Sequence, residues 1–153
     1  MIMKTILISI FILGCDEAGG LIIDSDFTPS EFSVIETAIA DLNEAAGGEV
    51  VYVGGRRKDV KHLWKNSEES VMIRFSECGN GKAGEMHGND IAICINNFPA
   101  VGLPLVVMHE LGHLIGLEHS DSMDDIMYPT MERLQYRTGY STGDIEQMKL
   151  LFN

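Results

Sequence analysis

Basic residues are scarce in this chain. Eleven Lys and Arg stand against twenty-three Asp and Glu, a formal net charge of −12, and that balance argues against a nucleic-acid partner. Cysteine is scarce too, at three residues. Cys78 and Cys94 lie sixteen positions apart with no second pair beside them, so a zinc knuckle is excluded. The apolar run at residues 5–13 is too short to span a bilayer as a stable helix. There is no internal repeat, no low-complexity tract and no Gly-rich phosphate loop. Nothing around Cys78, Cys94 or Ser120 supplies the nucleophile, base and orienter that serine or cysteine catalysis needs.

Histidine is also rare, at five residues, yet three of the five fall within eleven positions. The stretch reads His109-Glu110-Leu111-Gly112-His113-Leu114-Ile115-Gly116-Leu117-Glu118-His119. On an α-helix, positions i and i+4 share a face, so His109 and His113 can direct their rings at one ion. Glu110 projects beside them without needing to bind. That leaves its carboxylate free to take a proton from a water activated by the metal. A helix continued past Gly116 would carry His119 around the cylinder, whereas a glycine at positive φ stops the helix and turns the chain back toward the ion. Three neutral imidazoles with one open position make a catalytic zinc shell. The bland alternative, helical histidines without a ligand role, suits the isolated His62 and His87 but not five specified positions in eleven.

With the following Ser120, this stretch resembles the metzincin zinc-binding motif in its matrixin form. Asp125-Ile126-Met127-Tyr128-Pro129 resembles the matrixin Met-turn, in which a methionine, here Met127, forms an apolar base for the three imidazoles. Metzincins with an extra tyrosine ligand carry it where this chain has Pro129, so the resemblance points away from that branch. It implies a zinc endopeptidase with one catalytic zinc held by His109, His113 and His119, Glu110 as general base, and a peptide or protein substrate. It also implies a pocket for the residue after the cut, formed by Leu105, Pro129 and Met131, whose apolar character suits a medium or large apolar side chain.

The first fourteen residues stand apart. Lys4, the apolar run and Gly14-Cys15 read as a secretion signal, and Ile12-Leu13-Gly14-Cys15 resembles a bacterial lipobox that would leave Cys15 lipidated. An ordinary signal peptide with an incidental cysteine is the other reading. The expected organisation is a signal peptide at 1–14, a tether at 15–24 and a catalytic domain at 25–153, with export to the periplasm or to a lipid-anchored place on the cell surface, or else secretion. Contact with a membrane would then run only through the lipid, and the chain is expected to be a monomer. Losing residues 1–14 removes one lysine and no acid, making the remainder more acidic still. Outside the cytoplasm Cys78 and Cys94 form an even pair able to make a disulfide; two buried thiols are the alternative.

Periodicity supplies the fold. Thr28-Pro29-Ser30-Glu31 is a capping box with proline in the first turn, and Phe32, Ile35, Ile39 and Leu42, with Ala38 and Ala45, recur at helical spacing until Gly47-Gly48. Residues 50–53, 71–75 and 91–95 read as strands, with a short edge strand at 84–87 in a glycine-rich region. In matrixins the corresponding edge strand pairs with extended substrate. A second helix should begin after Gly102 with Pro104 in its first turn, apolar on all sides through Met108, as a rigid carrier of ligands requires. Ser141-Thr142-Gly143-Asp144 opens a short terminal helix. The class is α+β: a metzincin-like single domain with a twisted mixed sheet, an edge strand, an active-site helix, a Met-turn and a short C-terminal helix.

Two departures limit the resemblance. Cys78 lies downstream of the first helix, so Cys78-Gly79 is not an inhibitory cysteine switch, and the sheet region offers only His87 toward the family's additional structural zinc. Calcium stays open, because Asn89, Asp90, Asp121, Asp124 and Asp125 are oxygen donors of the right kind without a decisive spacing. Two other function classes stand beside the protease: a zinc-holding surface lipoprotein with weak or no catalysis acting as a binding module, and a structural lipoprotein stabilised by zinc. An intact Glu110 argues against both, since a structural site has no use for a base there.

Overall fold

The computed structural model describes residues 21–56, 72–76, 82–87, 90–94, 102–130 and 137–152. Cys15, Cys78, Asn89 and Met131 lie outside the described residues, as do the signal segment at 1–14 and His62.

The first helix, α1 (Pro29–Ala46), starts where its side chains satisfy the free amides of the first turn. Thr28 Oγ1 accepts from Glu31 N at 3.3 Å, and Thr28 N donates to Glu31 Oε2 at 2.7 Å, the two halves of the capping box. At the other end Gly47 takes φ 77°, letting Gly47 N reach Glu44 O and Gly48 N reach Asn43 O. Between the caps, Ile35, Ala38, Ile39 and Leu42 are buried at one helical period, and Phe32 and Ala45 pack against the same core from a half-buried position. Withdrawing Leu42 fully from water contributes about 1.5–3 kcal/mol.

Five strands form one mixed sheet in the order β2-β1-β3-β5-β4: β1 (Leu21–Ile23), β2 (Val53–Arg56), β3 (Met72–Ser76), β4 (Gly84–His87) and β5 (Asp90–Cys94). All pairings are parallel except β4 with β5, which is antiparallel and places β4 at the edge. The sheet's central members are closed to water, with Ile23, Ile91, Ala92, Ile93 and Cys94 all at 0% exposure.

Two expectations are corrected here. Residues 21–23 belong to the sheet and not to a tether at 15–24: Leu21 pairs with Val53 and Ile22 with Met72, so the folded unit starts no later than Leu21. An all-apolar triplet with neighbours on both sides is buried on every side, which removes the alternation that marks a half-exposed strand. The strand expected at residues 50–53 starts only at Val53. The cause is Asn43, whose Oδ1 accepts from Val50 N (2.9 Å) and Val51 N (3.0 Å) while its Nδ2 donates to Val51 O (2.7 Å). An amide side chain from α1 thus occupies the backbone groups that a ladder would have used.

The second helix, α2 (Leu103–Leu114), follows Gly102 and carries Pro104 in its first turn. From Leu105 to Gly112 every residue is buried, and α2 packs against α1 on one side and β4 and β5 on another. The last helix, α3 (Thr142–Phe152), opens on Ser141: Ser141 N donates to Asp144 Oδ2 and Asp144 N to Ser141 Oγ, at 2.9 and 3.1 Å. It packs on α1.

Candidate metal centre

Helix α2 brings His109 and His113 onto one face, and it stops where the third histidine needs it to. Its last residue is Leu114; Gly116 then takes φ 97°, a conformation that a side chain would strain. Gly116 N donates to His113 O and Leu117 N to Gly112 O, so the helix closes on its own last carbonyls as the chain reverses. Leu117 is buried at 3% exposure and anchors the reversal, and His119 follows on the exposed side.

The three rings converge. Their centroids lie 4.8 Å (His109 to His113), 5.3 Å (His109 to His119) and 4.7 Å (His113 to His119) apart. One ligand atom from each can be chosen so that all fall within 4.8 Å of one another, an arrangement that no other His, Cys, Asp or Glu trio shares among the described residues. His109 Nδ1 donates to Ile126 O at 2.8 Å and His113 Nδ1 to Leu117 O at 2.9 Å. A carbonyl only accepts, so both rings carry their proton on Nδ1 and leave an Nε2 lone pair for an ion. His113 Nε2 and His119 Nε2 stand 3.1 Å apart. Two ligands at a Zn–N length of about 2.0–2.1 Å span roughly 3.3 Å across a tetrahedral edge. Donor type, tautomer and spacing therefore fit one zinc ion.

Electrostatics favours the same state. Burial lowers His109 to about 4, with its neighbours His113 and His119 pushing the same way against the Ile126 carbonyl. Burial and then His113 lower His119 as well. Both shifts favour neutral imidazole, the ligand form, in His109 and His119. Glu110 is 3% exposed, and burial, followed by the Glu85 carboxylate, raises it to about 7 against the opposing pull of Lys82. Glu85, on the edge strand, is itself paired with Lys82 at 2.7 Å.

Met127 is fully buried, and Gly112 makes the room: a Cβ there would overlap the Met127 Sδ. The turn around Met127 is tied down on three sides. Ser120 N donates to Met127 O at 2.9 Å, joining it to the segment after His119. The buried Asp144 carboxylate accepts from Ile126 N at 2.8 Å and Met127 N at 3.2 Å. Asp125 accepts from Ser120 Oγ and Ser141 Oγ, bridging the third-histidine segment to the start of α3. Tyr140, whose hydroxyl donates to Met108 O at 2.7 Å, holds α2 one residue before its first histidine; burial, then Asp144 and Asp41, push its ionisation well above the usual phenol range.

Asp144 and Tyr140 were not expected to serve this centre. Asp144 was legible only as a helix cap, because its Met-turn partners lie seventeen and eighteen positions away. Of the residues expected to line a substrate pocket, Leu105 is 6% exposed within the core and Pro129 is exposed. Cys94 is fully buried and disulfide-bonded, with its partner outside the described residues. Among the candidate calcium donors, Asp124 pairs with Arg137 and Asp125 holds the two serines.

Known proteins are similar to this chain in fold and in sequence. In solved structures, the chain is similar to the crystal structure of archaemetzincin from Methanopyrus kandleri, with a TM-score of 0.60 over 92% of this chain and 98% of that one at 14% identity, which speaks to the fold alone. In sequence it is 30% identical over 129 residues to macrophage metalloelastase of Oryctolagus cuniculus, covering 84% of this chain and 26% of that protein. It is 40% identical over 53 residues to the metalloendoproteinase 2-MMP of Arabidopsis thaliana, covering 35% of this chain and 14% of that one. The chain spans about a quarter of the length of the metalloelastases it matches. The matrixin family model (Peptidase_M10) matches residues 54–153, a stretch that includes the three histidines, the reversal at Gly116 and the Met-turn, and on that match the chain belongs to the matrixin family.

Proposed function

We propose that this chain is a zinc-dependent endopeptidase in which Glu110 is the general base. The observation that carries the reading is the convergence of three imidazoles, two of them with Nδ1 committed to backbone carbonyls, beside the buried carboxylate of Glu110. Zinc held by His109, His113 and His119 would supply Lewis acidity, polarising a scissile carbonyl and bringing the pKa of a bound water toward ~7. The rest falls to the chain. The buried carboxylate of Glu110, next in the chain to the ligand His109, can accept a proton from the attacking water and return it to the departing amine. Strand β4, at the edge of the sheet beside α2, offers one side of its backbone to an extended peptide, which would lie as a further strand next to Glu110. Met127 packed against Gly112, and the Ile126 carbonyl on His109 Nδ1, fix the ligand rings in one orientation.

The test is zinc content and cleavage of a mixed peptide library by the full chain, as wild type, Glu110→Ala and His113→Ala. Glu110→Ala should keep about one zinc per chain and lose at least ~10²–10⁴-fold in turnover. His113→Ala should lose zinc and turnover together and melt earlier. Equal turnover in wild type and Glu110→Ala would dismiss Glu110 as the base. A zinc-loaded wild type that cleaves no library peptide would leave a zinc-holding binding module as the better account, and a wild type without stoichiometric zinc would remove both.

A further inference from the structure

Gly84 heads the edge strand, paired with Ile93 across to β5. Its φ lies outside the left-handed region, so its backbone conformation is open to any residue. Glycine weakens a strand and usually marks a place where something approaches the backbone closely. Here that something is Glu110. A Cβ built on Gly84 would sit 2.5 Å from Glu110 Oε1, 2.7 Å from Cγ and 2.8 Å from Cδ. The overlap covers the side chain from Cγ outward, so swinging the carboxylate tip aside would not relieve it. Neither partner can easily retreat: Glu110 lies in the buried stretch of α2, and β4 is held in register on β5 through Gly84, Glu85, Met86 and His87.

We propose that Gly84 is a positioning residue for Glu110: the side chain missing from the edge strand is the slot in which the carboxylate lies. The slot holds the carboxylate against the backbone of the strand along which a substrate would run, and any side chain at position 84 displaces it. This inference rests on the reading of Glu110 as the general base for its kinetic consequence, although not for its structural one. It differs from an ordinary strand effect in sign, since alanine in place of glycine should by itself strengthen a strand.

The test is a double-mutant cycle in the full zinc-loaded chain. Gly84→Ala should lower kcat by ~10²-fold, the scale of an ångström of misplacement, with zinc still about one per chain and KM within about twofold. In a Glu110→Ala background, which removes every atom the added methyl would strike, the same change should cost the residual turnover less than about threefold. If Gly84→Ala fails to fold well enough for kinetics, thermal melts decide. The substitution should lower the melting temperature in wild type and leave it unchanged or raised in Glu110→Ala, where the side chain it would strike is gone. An unchanged kcat, equal fold-losses of turnover in the wild-type and Glu110→Ala backgrounds, or equal melting shifts in those two backgrounds would each overturn the inference. Wild-type turnover in Glu110→Ala alone would instead dismiss the base, and the melts would still decide whether Gly84 holds the slot.

Discussion

Replacing Asp144 by alanine tests how the centre is held from outside its ligands. The carboxylate is fully buried and accepts from three backbone amides, Ile126 N at 2.8 Å, Ser141 N at 2.9 Å and Met127 N at 3.2 Å. Removing an acceptor strands each buried donor at a cost of about 1–3 kcal/mol. Two effects reduce the sum: water can enter the vacated space, and the desolvation of a buried charge is recovered. A net loss of about 3–5 kcal/mol is expected, which for a chain of this size lowers the melting temperature by roughly 6–20 °C. The consequence reaches the metal by a short route. Asp144 holds Ile126 N, and Ile126 O receives the proton of His109 Nδ1, so loosening the turn loosens the orientation of a ligand. Outer hydrogen bonds of this kind are worth ~10–100-fold in metal affinity. Competition with a zinc chelator should therefore show zinc binding weakened by that factor in Asp144→Ala, and denaturant melts of the zinc-free chain should show the stability loss separately. Asp144→Asn, which keeps an acceptor oxygen, should show a smaller version of both. A stability loss under ~1 kcal/mol, or a lost stability with unaltered zinc affinity, would refute the coupling between α3 and the ligand shell.

Two further outcomes are expected. In the zinc-free chain, Glu110 titrates near 7 against 4.5 when unfolded; the folded state then holds the extra proton, and the stability this confers is present below pH 4.5 and lost as pH rises through 7. Measured as a difference, which cancels every other titrating group, Glu110→Gln should gain about 3 kcal/mol on wild type between those limits, and parallel stability curves would contradict the raised value. Cys94 is disulfide-bonded and stands opposite Ser76 on β3, two residues before Cys78 in the chain. Peptide mapping without reductant should recover Cys78 joined to Cys94, and a Cys15–Cys94 peptide would show the pairing to be wrong.

Features confined to one or two helical turns were legible in the order of residues alone. The i, i+4 histidines, the stop at Gly116, the capping boxes at Thr28 and Ser141 and the proline after Gly102 each depend on backbone groups three to five positions away, and each stands where the spacing put it. The edge strand was legible as well, from its turn-rich flanks. Tertiary structure decided what distant segments do to one another. Leu21–Ile23 is a strand because Val53 and Met72 flank it, and neither neighbour can be read from three apolar residues. β2 starts late because Asn43, on another element, reaches its approach first. Asp144 was visible as a cap and became a clamp on the Met-turn only when α3 docked. Gly84 and Gly112 look like interruptions in a strand and a helix; folding turns them into the clearances for Glu110 and Met127. Local geometry repeats with the backbone's own period and so leaves a mark in the order of residues, whereas a clearance or a clamp between elements depends on where the chain returns.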